Sequence, residues 1–447
     1  RNLLMSILGC FCICQSEAQN PIIQTIYTAD PAALVHKDTL FLYTGHDEDA
    51  STWFTMKDWH VYSTTDMVNW TDRGAPLSLK TFKWATQDAW ASHCIERDGK
   101  FYWYVCVKDT TLKRMAIGVA VADKPTGPFV DPLGKPLVAA HWGDIDPAAF
   151  IDDDGQAYLY WGNPDLWYVK LNKDMISYDQ TAGVVKVPLD KEGFHYRDKG
   201  ADKRPSAYEE GPWLYKRSGL YYLLYAAGGV PEHLAYSTSK SPTGPWKYKD
   251  TVMVRLPIKA AFTNHPGLVD YKNRTFMFYH NAGLPGGGGF TRSVCVDEAF
   301  FNVDGTLQRV VQTAGLAKGV GKPDPYIRQE AETIAWSKGV ETSSHQEGSV
   351  FVTDIQAGDY IKVRDVNFKK GAGKFMANVL GINGGSIEIR LDSVDGVRIG
   401  TLEVQRSGSW KVLSARVLRA SGVHDVYFVF RGGEGKLFDF DWWQFKK

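Results

Sequence analysis

Cysteine is scarce in this chain, and the few present do not form a pairing pattern. Of six cysteines in 447 residues, Cys10, Cys12 and Cys14 sit in the first stretch. Cys94, Cys106 and Cys295 remain, an odd number scattered through apparent strands, so no disulfide framework is indicated. An excess of charge of either sign is also missing: 51 Lys and Arg balance 51 Asp and Glu, with no basic stripe. Nothing electrostatic therefore argues for a nucleic acid or a membrane surface as partner, and a neutral one fits better. Past the N-terminal stretch no apolar run approaches the length needed to span a membrane. No helical periodicity longer than a turn or two is evident.

Residues 1–18 combine Arg1, the apolar run Leu3 to Cys14 and the small-residue end Ser16-Glu17-Ala18. They read as a secretory signal lacking its initiating Met, with a mature chain expected from near Gln19. The stretch Ile7-Leu8-Gly9-Cys10 also allows a lipid-anchored reading. A chain of this length is expected to build two cores.

Aromatic residues are abundant: 15 Trp, 22 Tyr and 22 Phe make up 13% of the sequence. Sugar-binding clefts use such flat rings, and so do β-propeller blades, so abundance alone does not choose between them. The stretch Trp142–Trp161 (WGDIDPAAFIDDDGQAYLYW) is more specific. It carries Asp146, a short apolar run, the turn Asp153-Asp154-Gly155 and an aromatic strand, which is a hairpin signature. Four more hairpins of this kind occur: Asp38 before TLFLYT, Asp98 before GKFYWYV, Ser218 before GLYYLLY and Asn273 before RTFMFYH. Successive turns, counted at Asp38, Asp98, Asp154, Ser218 and Asn273, stand 60, 56, 64 and 55 residues apart, and repeated units of that length built from short aromatic strands predict a five-bladed β-propeller. Stepping back eight residues from each turn lands on Asp30, Trp90, Asp146, Glu210 and His265. Equivalent inner strands line a propeller's channel, so these five side chains are expected at one mouth of it.

Three carboxylates at one mouth suit a cation site, a structural polar cluster or an acid–base apparatus. Asp30 and Asp146 each precede Pro-Ala-Ala, whereas Glu210 follows Glu209 and precedes Gly211-Pro212-Trp213. The third position is therefore built differently from the other two. Glycoside hydrolysis needs one carboxylate ionised and another protonated, and like charges held close push their pKa values apart.

From about Leu316 the Gly-, Lys- and Pro-rich stretch AKGVGKPDP reads as a linker over 316–327. Residues 328–447 alternate in period two, as at Ile387, Ile389 and Leu391 and at Val426, Phe428 and Phe430, which predicts a β-sandwich. The expected fold is thus all-β, a five-bladed propeller over 19–315 followed by a sandwich.

The motifs YTADPAAL, AWAS, GDIDPAAF, EEGPWLY and NHPG, in that order, resemble glycoside hydrolase family 43 over roughly residues 20 to 315. The resemblance implies Asp30 as general base, Glu210 as general acid and Asp146 as the residue that raises the acid's pKa and holds it in place. It implies Trp90 as a wall of the sugar pocket and Arg292 as an arginine near the acid and the substrate. His265 resembles the family's channel histidine, which coordinates calcium or another cation through water. One departure concerns Ala91-Ser92-His93, where the family commonly has Pro after the second Ala. Residues 328–447, opening on RQEAETIAW and ending on GKLFDFDWWQF, resemble a family 6 carbohydrate-binding module, a jelly roll. That resemblance implies a structural calcium at Glu330, Glu332 and Asp441, an all-oxygen set suited to a hard cation. It offers Trp410 as one cleft aromatic. The module's usual Asn has no counterpart, since that region holds Glu434, Lys436 and Asp439.

The expectation is a secreted or periplasmic inverting glycosidase needing no cofactor for catalysis. Its expected partner is a plant polysaccharide, arabinoxylan or xylan, or the derived oligosaccharides. The preferred activity is α-L-arabinofuranosidase, with β-xylosidase or a non-catalytic glycan-binding propeller as alternatives.

Overall fold

The computed structural model describes residues 19–197, 200, 204–255 and 261–447. The expected secretory signal and lipid-anchor cysteine lie outside the described residues. Five antiparallel sheets form the propeller. Blade one consists of β1 (Tyr27–His36), β2 (Thr39–Asp47), β3 (Asp58–Thr64) and β4 (Trp70–Asp72) in that order. The inner strands of the next four blades are Ser92–Arg97, Ala148–Ile151, Tyr208–Arg217 and Gly267–Tyr271. Aromatic strands occupy the second position because each blade packs both faces against its neighbours, so alternation gives way to continuous burial. Thus Phe101 to Val107 and Leu223 to Ala227 are buried throughout.

The ring closes through the N-terminal segment. Blade five contributes three strands, and its edge strand Ser293–Ala299 is covered by residues 20–28. Ile22 N donates to Val294 O at 2.9 Å and Thr28 N to Arg292 O at 3.0 Å. The Asn20 amide binds both the N–H and the C=O of Val296. An edge that would otherwise expose unpaired backbone groups is thereby satisfied.

The C-terminal region is a curled sheet with a sandwich-like core. Two long strands, Tyr360–Gly381 and Lys411–Arg431, bend through it around Phe375, Phe428, Phe440, Trp443 and Phe445. The stretch expected as a linker is not a free tether: Leu316 and Val320 pack into the core of blades one and five, and Val320 N donates to Asp66 O. Thr333–Ile334 then pairs with β4, extending blade one into the module. Arg364 ties the joint, its guanidinium reaching Gln19 Oε1 and the carbonyls of Leu316 and Ala317. The composition of 316–327 is that of a loop, and packing rather than periodicity orders it.

Candidate active site

The inner strands of blades one and three are kinked where their carboxylates project. Asp30 and Asp146 both adopt left-handed backbone, with φ of 53° and 58°. Such conformations cost about 1–3 kcal/mol each and cluster at functional sites. In blade one the kink coincides with a bulge between Ala29 and Ala32. In blade four the left-handed residue is Gly211, φ 60°, one place after Glu210. A Cβ there would lie 3.0 Å from the His265 ring, so glycine is required and the acid moves one position forward.

His265 sits at the centre. Its Nδ1 is 3.4 Å from Asp30 Oδ1, and its Nε2 is 3.4 Å from Glu210 Oε1 and 3.7 Å from Asp146 Oδ2. Beneath them a cavity of about 30 Å³, lined in part by His93 and Trp213, has room for about two waters. Burial alone would lower the His265 pKa, but Asp30, Asp146 and Glu210 override it and hold the imidazolium up to about 10.

Asp30 is held on every side. Arg292 Nη1 reaches its Oδ1 at 3.0 Å, and its own backbone N–H donates to His280 Nδ1. Burial, reinforced by the Arg292 charge, pushes the His280 pKa well below 6.5, so a neutral imidazole accepts that bond while Nε2 donates to Thr263 O. Arg292 is itself anchored by the fully buried Asp47 through Nε and Nη2, both at 2.9 Å, and lies over the Phe54 ring. The expected substrate-side arginine is thus 3% exposed and directed at Asp30 rather than at Glu210. Its donors are spent on two carboxylates.

Glu210 is held more lightly. Asn163 Nδ2 donates to its Oε2, and Arg204 Nη2 in turn binds Asn163 Oδ1 at 3.0 Å. Its neighbour Glu209 forms ion pairs with Arg197 and Arg204, so of the two adjacent glutamates only Glu210 faces the channel histidine. Burial would raise the Glu210 pKa, yet His265, then Asn163 and Arg292, bring it below its ordinary value. Burial lifts Asp146 to about 7, opposed by His265 and assisted by Glu210 and Asp30. The two carboxyls are thus pushed in opposite directions: burial favours the protonated form of Asp146, while His265 and Asn163 favour ionised Glu210. These groups exchange protons as one set, because Asp146, Glu210 and His265 offer atoms within 4.8 Å of one another. The same trio could hold a cation, which would compete with the His265 proton.

Trp90 is half-buried. Its Nε1 donates to Phe54 O at 2.9 Å, and Phe54 packs edge-on against Trp90, Phe262 and Phe290. Trp53, 59% exposed, continues this wall. Ser92 and His93, which replace the expected Pro step, serve structure: Ser92 Oγ accepts from Trp103 Nε1, and His93 Nδ1 accepts from Ala149 N. Asp47, Asn163, His280 and the Phe54 wall escaped sequence reasoning. Only Asn163 carried a local signal, standing two residues after the aromatic strand of the Trp142–Trp161 hairpin.

In the module, Trp410 joins Phe351 and His345 in an aromatic group apart from the channel cluster. Where an amide was sought, Lys436 pairs with Asp439 at 3.0 Å. Glu330 and Asp441 flank the Arg328 guanidinium at 2.7 and 3.8 Å. Glu332 is buried with Oε2 unpartnered, and burial, then Glu330 and Asp72, push its pKa well up. The three carboxylates are not among the described residues whose ligand atoms converge within 4.8 Å, and Asp441 is turned to Arg328, His345 and Asn378; an uncompensated buried carboxylate such as Glu332 is nonetheless one that a hard cation would satisfy.

Residues 18–307 match the model of the glycosyl hydrolases family 43, and residues 330–447 match that of the carbohydrate binding module family 6. An arabinoxylan arabinofuranohydrolase of Bacillus subtilis (strain 168) is 34% identical, with 95% of this chain and 92% of the relative covered. A xylosidase/arabinosidase of Bacteroides ovatus is 30% identical over 63% of this chain and 94% of its own. Among solved structures, a family 43 arabinoxylan arabinofuranohydrolase from Bacillus subtilis in complex with cellotetraose superposes with a TM-score of 0.82 at 32% identity, covering 97% of this chain and 98% of that one. With the family's motifs carried on the kinked strands of a propeller channel, the chain belongs to the glycosyl hydrolases of family 43 and is a glycoside hydrolase.

Proposed function

We propose that the protein is an inverting α-L-arabinofuranosidase that removes arabinofuranosyl side chains from arabinoxylan, secreted under the leader-like residues 1–18. One observation carries the substrate class. Two arabinoxylan arabinofuranohydrolases are 34% and 32% identical over 95% of this chain, whereas a xylosidase/arabinosidase that also spans 91% of it is only 24% identical. A joined module suits a polymeric substrate. In this reading Asp30 activates water, Glu210 protonates the leaving oxygen, and Asp146 with His265 supplies and returns Glu210's proton. Asp30 and Glu210 stand at opposite nitrogens of one imidazole, which favours the wider carboxyl spacing that an intervening water needs. Incubation with arabinoxylan and with xylo-oligosaccharides tests this. Arabinose is the expected product, and xylose alone would move the assignment to β-xylosidase.

In the module, Glu330, Glu332 and Asp441 would hold calcium, which supplies the charge that buried Glu332 lacks. Binding to the folded state alone stabilises it. Chelation is therefore expected to lower the melting temperature of the full chain, and an unchanged value would remove the calcium.

A further inference from the structure

Blade one carries a second cluster of ligand-type side chains that the reaction does not use. On β2, Asp47 faces the channel and holds Arg292, so by the two-residue period of a strand its neighbour His46 points to the opposite face. The β2–β3 ladder pairs Thr44 with His60 and Gly45 with Trp59, which brings His46 beside Asp58. Asp58 Oδ1 lies 2.9 Å from His46 Nδ1 and 3.5 Å from His60 Nε2. The two imidazoles meet edge to face, with centroids 5.1 Å apart and planes at 76°. One donor atom from each of the three residues falls within 4.8 Å of the other two. Their side chains are 19%, 29% and 15% exposed, so the cluster is walled but reachable from solvent. Across the ladder from each other, His60 Nδ1 and Thr44 Oγ1 are both buried without a partner.

We propose that His46, Asp58 and His60 form a binding site for a divalent transition cation of the zinc class. Two ligands at 2.0–2.2 Å from a tetrahedral ion stand about 3.3–3.6 Å apart, so the two spacings from Asp58 need adjustments of only tenths of an ångström. Two imidazoles and one carboxylate favour zinc, nickel or copper over calcium, which takes oxygen ligands. The partial exposure leaves a fourth position for water. An ion here would clamp β2 to β3 one residue from Asp47, the anchor of Arg292, and would stabilise blade one by binding only its folded form. It is separate from the channel trio, whose members all lie on other strands or loops.

The test uses the full chain stripped of metal and titrated with Zn²⁺ by calorimetry. Asp58→Ala and His46→Ala are expected to weaken one Zn²⁺ site by about a hundredfold or more, since even residues behind the ligands cost 10–100-fold. His265→Gln is expected to leave that site intact. Zn²⁺ uptake that survives Asp58→Ala and His46→Ala but is lost in His265→Gln would assign the ion to the channel and overturn the proposal. Should the variants not fold, wild-type crystals grown with equimolar Zn²⁺ decide. A zinc-edge anomalous peak among the three side chains supports the site, and its absence there leaves only a hydrogen-bonded triad.

Discussion

The two carboxylates assigned to the chemistry are held in opposite ways. Asp30 is clamped: left-handed backbone, a neutral His280 on its N–H, and an arginine that is itself gripped by a buried aspartate. Glu210 has one amide donor on one oxygen and a shared imidazole on the other. A base that must be ionised when it takes the proton of the attacking water gains from fixed cationic contacts, whereas an acid must still hold its proton at that moment. Rigid charge pairing serves the first and would disable the second.

Removing the clamped group should have the largest effect. Asp30→Ala deletes the activator of water, so kcat should fall by about 10²–10⁴-fold or more on every substrate, activated aryl glycosides included. Retained turnover on any substrate would break the comparison. Glu210→Ala should lose a similar factor on arabinoxylan but far less on an aryl arabinofuranoside whose leaving group needs no proton. Glu209→Ala, which removes the partner of Arg197 and Arg204, should show no such leaving-group dependence. The reverse pattern would exchange the roles of the two glutamates.

Two milder substitutions should move the acid's pKa in opposite directions. Asp146 and Glu210 repel each other as anions, so an ionised Asp146 works against ionisation of Glu210. In Asp146→Asn that support is gone, so the basic limb of the kcat/KM profile should shift to lower pH and activity at pH 7 should drop. The folded pKa of Asp146 lies above its ordinary 3.8, so its contribution to stability is present in acid and fades as pH rises from 3.8 to about 7. The melting temperature of Asp146→Asn should change less across that window than that of the wild type. Asn163→Ala removes a donor that favours ionised Glu210, so its basic limb should shift to higher pH. The rate cost should be about tenfold, the usual worth of a hydrogen bond to a charged group. Shifts of the same sign in both variants would mean that Glu210 is not the titrating acid.

The propeller was legible because hairpin turns and aromatic strands are local signals. Asp30 and Asp146 were legible because each sits before Pro-Ala-Ala. The eight-residue register behind them was only approximate. Counting from the first residue of each two-residue turn, Lys37 and Lys272 stand seven places after Asp30 and His265, whereas Asp98 and Ser218 stand eight after Trp90 and Glu210. Bulges absorb the difference, and a bulge leaves little trace in composition. Asp47 and His280 were illegible for another reason: their partners lie 245 and 250 residues away, and an aspartate or histidine inside an aromatic strand looks like any other. The opposite pKa directions of Asp146 and Glu210 depend on how deeply each is buried and on the Asn163 hydrogen bond that only Glu210 receives, and only the folded channel determines that. The docking of 316–334 onto blade one was hidden because glycine and proline signal a loop without showing whether it packs.

The most direct test of a clamped base acting across the sugar from an exchangeable acid is the configuration of the first product. Proton NMR of arabinose released from arabinoxylan, followed before mutarotation, should show the β-anomer appearing first, because water activated by Asp30 attacks the face opposite the bond that Glu210 protonates. First appearance of the α-anomer would show a covalent intermediate and contradict the roles assigned to both carboxylates.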